Sequence, residues 1–570
     1  MVMQYSELVA LYEELSGTTK RLEKRDIIAQ FLPKLLKEEA RYVYLMHGKV
    51  TADYDSREFG ISRQLVMKGL GQTFGKTSEK IEALFATQGD LGEITETLAE
   101  KRTQKGLFAQ PLTVAHVFEQ LESILGLSGK GSVERKLGVV EGLLGHASAT
   151  EAKYIVRTLL GDLRIGVQGA VLVDAIAQAW YPDEAEVIPL VQEGYDLTTD
   201  FAGVLHAAAR GKAALRKMIL HPDRPLQVML PVKVTELEEA FEICGKPAAL
   251  EHKYDGFRMV LMRDEKGVIR LFTRKFESVT AQFPDVVKVM ERTLGNRTYI
   301  FDAEVVGHDP QTGKTLPFEA ISQRIRRKHH IEELVKQLPV VINVFDVLYY
   351  QGEGTTALPF MERRALLETI IPVHTGIHPS EQLVTSDLEV AKRFYKSALA
   401  LGEEGIMIKT LDAVYRPGRR VGYIVKMKPL AADLDVVIVG AETGTGKRAG
   451  WLTSYVVACK DGNSYKELGM VSSGLKEKEE EGMTYAALTK LLKPLITHTE
   501  GNTVKVKPQL VVSITYQNIQ PSPRYASGFG LRFPRIMHYR PDRKPHDIAT
   551  LDDITKLVKK QHTAGGWGIQ

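Results

Sequence analysis

At 570 residues the chain exceeds what one hydrophobic core organises, and domains of roughly 100–200 residues lead us to expect three or four. Hydrophobic residues at 44% and charged residues at 26% are ordinary for a soluble globular protein and exclude no class, and a net charge of +4 permits nucleic-acid contact without requiring it. Two cysteines, Cys244 and Cys459, cannot make a disulfide framework or a cysteine-based zinc site, which predicts a reducing, intracellular setting.

The N-terminus, MVMQYSELVALYEEL, carries acids where a signal peptide has its apolar core, and no apolar run approaches the ~20 residues that span a bilayer. A cytoplasmic protein with no membrane partner is expected. To about residue 225 the apolar period is helical: Leu8, Val9, Tyr12 and Leu15 share a face, and Ile27, Ile28, Phe31, Leu32, Leu35 and Leu36 continue it. The spacing recurs at 137–144, 154–163 and 171–180, so residues 1–225 read as an all-α domain. Arg157, Arg164, Arg210, Lys212, Arg216 and Lys217 punctuate its turns, which suits either a phosphate backbone or solvated helix faces. One loop stands apart. Gln104, Leu107 and Phe108 form either a shortened clamp-binding peptide or a segment folded into its own domain.

His221-Pro222-Asp223-Arg224-Pro225 is a breaker cluster and reads as a linker. Beyond it, short β-like runs at 248–250, 258–262, 268–273, 298–306, 340–349, 405–409 and 423–428 alternate with helical stretches at 279–294, 331–338, 361–370 and 388–401. Residues 226–429 are therefore expected to form an α+β domain. Its first strand ends in Glu251-His252-Lys253-Tyr254-Asp255-Gly256-Phe257-Arg258, a lysine before an Asp-Gly turn. Lys253 is either a nucleophile aimed into a cleft or a surface lysine beside a turn. Further charges fall on strand-like runs: Glu304 in Phe301-Asp302-Ala303-Glu304, Glu404 before Ile406-Met407-Ile408-Lys409, and Lys426 and Lys428 on one face of 423–428. Interior strands rarely carry such charge unless a ligand occupies the site. Two carboxylates among several cations suit a polyphosphate with a hard divalent metal, Mg2+ or Mn2+. Phe345 is a candidate to stack on a base, or simply core.

Residues 430–570 read as a small all-β barrel of OB type, with strands at 434–439, 454–459, 466–471, 503–507 and 510–516, a helix-like insertion at 476–492 and a terminal helix at 551–561. Gly444-Thr445-Gly446-Lys447-Arg448-Ala449 satisfies the letters of a dinucleotide fingerprint, but another β-like run follows too soon for the helix such a site requires. It also lacks the first glycine and the Ser or Thr of a phosphate loop.

Lys253-Tyr254-Asp255-Gly256, Leu271 to Arg274, Phe301 to Glu304, Val344 to Tyr349, Glu404 to Lys409, Tyr423 to Lys428 and Arg540 to Arg543 resemble, in order, the nucleotidyltransferase motifs of ATP-dependent DNA ligases. Leu159 to Gly166 resembles the helical DNA-binding domain of the archaeal and eukaryotic replicative ligases, so the resemblance covers nearly the whole chain. It implies an all-α DNA-binding domain, an adenylation domain and an OB-fold domain acting on nicked duplex DNA, in replication, repair and recombination. Lys253 would attack the α-phosphate of ATP, the adenylate would pass to a 5′-phosphate, and the 3′-hydroxyl would displace AMP.

Carried over by position, Glu251 would contact adenine, Phe345 would stack on it, and Arg258 with Glu304 would hold the ribose. Lys426 and Lys428 would face the α-phosphate, with Arg274 and Arg420 on the phosphates or the nick. Glu304 and Glu404 would bind Mg2+ or Mn2+. Arg540 and Arg543 would reach the outer phosphates when the terminal barrel closes, Arg543 standing where the family usually has lysine. The resemblance also favours a sliding clamp as partner of Gln104, Leu107 and Phe108, and a monomer. An RNA-joining or capping enzyme, an NAD-dependent ligase and a non-enzymatic DNA scaffold are the competing readings.

Overall fold

The computed structural model describes residues 2–102, 111–182, 184–309, 315–316, 318–325, 327, 329–372, 376–418, 422–429, 433–444, 448, 450–477 and 483–565. Two compact units divide it: one holds residues 1–233, 238–386 and 407–426, the other 234–237, 387–406 and 427–570.

The first 220 residues of the first unit are helical among those described. The faces expected from apolar spacing are the buried ones. Tyr5, Leu8, Tyr12 and Leu15 of the helix Tyr5–Ser16 pack with Ile28, Leu32 and Leu35 of Arg21–Glu38 and with Leu172 and Ile176 of Gly169–Trp180 in one core. Burying such a stripe supplies most of the stability of helices this short. Asp90 caps the helix Leu91–Glu100 by accepting from the Gly92 amide at 2.8 Å, and its carboxylate also takes Arg157 Nη2 at 2.7 Å and Arg164 Nη1 at 3.1 Å. Arg157, among the basic residues suited to phosphate, is only 6% exposed, so its charge is spent on Asp90 inside the domain.

The middle region is built on strands β1 (Val232–Val234), β2 (Ala248–Lys253), β3 (Phe257–Arg263), β4 (Ile269–Thr273), β5 (Tyr299–His308), β6 (Thr315–Leu316), β7 (Val340–Tyr350), β8 (Glu353–Gly354), β9 (Ile377–Pro379), β10 (Gln382–Thr385), β11 (Gly405–Lys409) and β12 (Ile424–Met427). One sheet has the order β4-β3-β5-β7-β8, with β6 beside β5 and β9 beside β7; the other has the order β1-β12-β11-β2-β10. Strand β3 is apolar on both faces because both are covered. Met259 and Leu261 face the helices Pro284–Leu294 and Phe360–Ile370 in a core with Phe283, Met290 and Leu367. Val260 and Met262 face the other way, where Leu226, Val228 and Met229 lie on them. The breaker cluster is thus followed by a buried connector. The helix expected over 279–294 begins later, at Pro284, after a short 3-10 turn at Thr280–Gln282. Proline lacks an N–H and fits the first helical position, so the chain starts its helix there.

The second unit holds the all-β C-terminal domain: β13 (Leu434–Thr443), β14 (Leu452–Asp461), β15 (Ser464–Val471), β16 (Ile496–Glu500), β17 (Thr503–Val506), β18 (Val511–Thr515), β19 (Asn518–Pro521), β20 (Phe529–Arg532) and β21 (Arg535–Tyr539). The order β15-β14-β13-β17-β16, with β18 bridging β13 and β21, wraps a core of Val436, Ile438, Tyr455, Val457 and Ile514. Ile554 and Val558 of the terminal helix Leu551–Gly565 enter the same core. Within the expected insertion at 476–492, of which 478–482 lie outside the described residues, the helix is Tyr485–Leu492, capped by Thr484, whose hydroxyl accepts from the Ala487 amide.

Candidate active site

Strand β2 is buried from Ala248 to His252, and Lys253 is its half-buried last residue. Residues two apart on a strand share a face, so Lys253 and Glu251 point the same way. Glu251, 2% exposed, accepts from Lys409 Nζ at 2.7 Å and Gln382 Nε2 at 3.0 Å, with Arg364 Nη1 3.9 Å away. Past Lys253, the Tyr254 hydroxyl accepts from the Glu381 amide at 3.2 Å. Gly256 then lets the chain cross β5: a Cβ there would lie 2.4 Å from the Val305 carbonyl oxygen, closer than any side chain tolerates. The lysine end of β2 is therefore fixed on both sides of the Asp-Gly turn.

Lys409 joins this strand to an aromatic. Its ammonium, on a side chain almost wholly buried, lies 5.0 Å from the centre of the Phe345 ring and 4.5 Å from that of Phe360. Phe345 is half-buried between buried Val344 and Asp346. The Arg258 guanidinium lies 5.3 Å from the same ring. Glu251, Lys409, Phe345 and Arg258 thus form a chain of contacts that starts on the face of β2 shared with Lys253.

Arg258 sits opposite Glu304 in the β3–β5 register, and Glu304 opposite Asn343 in the β5–β7 register. Its guanidinium is nevertheless held by Asp302, which the sequence reading gave no role: Nε donates to Oδ1 at 2.8 Å, Nη2 donates to Oδ2, and Nη1 donates to the Met229 carbonyl at 2.8 Å. Burial opposes the charge on Arg258, but the Asp302 carboxylate overrides it and holds the guanidinium above its ordinary pKa. Tyr415, fully buried, donates to Asp302 Oδ2 at 2.8 Å; burial, reinforced by the Asp302 charge, pushes its hydroxyl well above the usual range. Asp346 is paired the same way by Arg363, at 2.7 and 3.0 Å. The available signal was an acid inside an apolar strand run, which demands a buried partner but does not name it.

The other expected residues are more dispersed. Lys426 is half-buried on β12, and Arg274 is exposed just beyond β4. Arg420, Gln104, Leu107 and Phe108 lie outside the described residues. Glu404 and Lys428 belong to the second unit and pair with each other at 2.6 Å, Glu404 also accepting from Gln517 Nε2 at 2.7 Å. In that unit Arg540 donates to Asp542 at 2.7 and 2.9 Å and to Asp435 at 3.1 Å, while Arg543 Nε lies 3.5 Å from Asp435. The Arg540 hydrogen bond holds the Asp542 carboxyl down at about 2. Among the described residues no three His, Cys, Asp or Glu side chains gather as a metal cage.

Three family descriptions match in order: DNA ligase N terminus over residues 4–177, ATP dependent DNA ligase domain over 228–428, and ATP dependent DNA ligase C terminal region over 448–543. The chain is similar to a DNA ligase of Nanoarchaeum equitans, 43% identical over 98% of this chain and 99% of the relative. It is also similar to one of Thermococcus onnurineus, 40% identical over 98% of each. The solved structure named Pmar-Lig_PreS3 shares the fold at 17% identity, with a TM-score of 0.54 over 93% of this chain and 99% of that one. With these matches spanning almost its whole length, the chain belongs to the ATP-dependent DNA ligase family.

Proposed function

We propose that this chain joins nicked duplex DNA through adenylation of Lys253. The observation that carries the assignment is the shared strand face of Lys253 and Glu251, leading through Lys409 to the half-exposed ring of Phe345. An amine, an acceptor for a base amino group and a stacking surface are what adenylate transfer needs.

Lys253 Nζ, once deprotonated, attacks the α-phosphorus of ATP. The bond to the β-phosphate oxygen breaks and pyrophosphate leaves. A 5′-phosphate oxygen at the nick then takes AMP from the lysine, and the 3′-hydroxyl displaces AMP to close the strand. Glu251 reads the adenine, Phe345 stacks on it, and Arg258 and Glu304 hold the ribose. Lys426, Lys428, Arg274 and Arg420 serve the inner phosphates and the nick, and Arg540 and Arg543 the outer phosphates.

Glu304 and Glu404 are the proposed contacts of Mg2+, or Mn2+. The lack of a three-ligand cage among the described residues fits an ion whose other ligands are phosphate oxygens and water. Such an ion neutralises charge on the phosphates. Gripping of duplex DNA is assigned to residues 1–225, adenylation to 226–429 and closure to 430–570. Gln104, Leu107 and Phe108 are read as the docking peptide for a sliding clamp, with the ligase itself a monomer. A cytoplasmic site of action fits a chain in which no described helix is long and apolar enough to cross a membrane.

Incubation with α-labelled ATP and Mg2+ tests the assignment. The unaltered chain should carry acid-labile label, and Lys253→Ala should carry none while still shifting a nicked duplex in a gel. Label on the variant means another nucleophile.

A further inference from the structure

The connector between the helical and middle regions is bonded into the nucleotide lining. Leu226 is fully buried, and Val228 and Met229 are each 3% exposed. The Met229 amide donates to the Tyr415 hydroxyl at 2.9 Å, Tyr415 donates to Asp302 at 2.8 Å, Asp302 takes two bonds from Arg258, and Arg258 Nη1 returns to the Met229 carbonyl at 2.8 Å. The ring of bonds is closed, and its one cation stands beside Phe345. At its other end the connector is tied to the helical region: the Gln227 amide donates to the Asp196 carbonyl at 2.8 Å, and Thr199 Oγ1 donates to the Pro225 carbonyl at 3.0 Å. The Gln227 carbonyl accepts from the Gly418 amide at 3.1 Å, so the same stretch of connector also holds Gly418.

We infer that the connector 225–229 and Tyr415 are positioning elements of the nucleotide site, holding Arg258 in place and joining the helical domain mechanically to the pocket that binds ATP. A bidentate Asp302 contact alone fixes the plane of the guanidinium but not its tilt along the strand. The third bond, from Nη1 to Met229, removes that freedom, and Tyr415 keeps both Asp302 and the Met229 peptide in register. The inference rests on the proposal that Arg258 faces the nucleotide, and the test separates the two.

Multiple-turnover sealing of a nicked duplex is measured with ATP and with 3′-deoxy-ATP for the unaltered chain, Tyr415→Phe, Arg258→Lys and the double variant, each with a melting curve. Tyr415→Phe removes a hydroxyl that donates to Asp302 and accepts from the Met229 amide and, at 3.3 Å, from Arg258 Nη2, so it should raise KM for ATP by at least about fivefold, the size of a single lost hydrogen bond, with kcat within about twofold. It should also narrow the preference for ATP over 3′-deoxy-ATP. In the Arg258→Lys background the same substitution should add nothing, because residues acting through one another are not additive. If Arg258→Lys leaves KM and the ribose preference unchanged, the placing of Arg258 at the nucleotide fails. If it changes both while Tyr415→Phe changes neither, or the effects simply add, the positioning role is overturned. Should Tyr415→Phe not fold, hydrogen exchange on the unaltered chain decides: peptides covering 225–230 should exchange more slowly once Lys253 is adenylated, and equal exchange overturns the coupling.

Discussion

Phe345 stands half-exposed on a strand whose flanking residues are buried, with cations of two other strands against its ring. If Phe345 stacks on the base as proposed, Phe345→Ala should raise KM for ATP about tenfold with a smaller loss in kcat. Steady-state nick sealing at varied ATP checks this, and an unchanged KM returns the residue to a packing role. Gly256→Ala should cost about 2 kcal/mol in urea unfolding, since the added methyl meets the Val305 carbonyl and the strands must part. At this scale the sequence was informative about placement within one short stretch, as for Lys253 at the end of its strand two residues after Glu251. It was silent where a charge is answered from far along the chain: Asp302 is met by Tyr415, and Glu251 by Lys409. The place of Arg258 on a strand was legible, but not its attachment to Asp302 and Met229.

Strands and helices followed their apolar period where one face alone is buried, and were missed where elements are short or polar. β9 and β10, at three and four residues, carry too little pattern to read. The helix Leu91–Glu100 shows what a cap does beyond local geometry. Burial works against the charge of Asp90, but the Arg157 hydrogen bond and the charges of Arg157 and Arg164 outweigh it, holding the carboxyl below its ordinary value. A carboxyl depressed in the folded state stabilises fully above its unfolded pKa, about 4, and that contribution drains away as pH falls through the folded value. Asp90→Asn, which leaves the buried Arg157 with only the exposed Glu93 carboxylate 3.6 Å away, should therefore lower stability by about 3 kcal/mol at pH 7. The gap to the unaltered chain should narrow at pH 3, and urea titrations at the two values measure it.

Across the whole chain, two compact units predict more than one unfolding event, and calorimetry should resolve at least two transitions, the one belonging to the 238–386 segment rising when ATP is added. Three domains were legible from the change of period near residues 225 and 430. The compact units follow a different partition, because residues 387–406 group with the barrel and 1–233 with the middle strands. Phe108→Ala should leave unaided nick sealing unchanged and weaken capture by a sliding clamp; equal affinity of both proteins for the clamp removes that recruitment.

The breaker at 221–225 invites anyone dividing the gene to begin the catalytic half a little further on, at the first strand. Starting after Leu230 would take Leu226, Val228 and Met229 away from Val260, Met262, Phe272, Ile300 and Leu348, opening a greasy trough along the back of the sheet. A fragment trimmed that way should clump during purification, whereas one begun at Pro222 should stay dispersed, a difference that light scattering would register within an hour of elution.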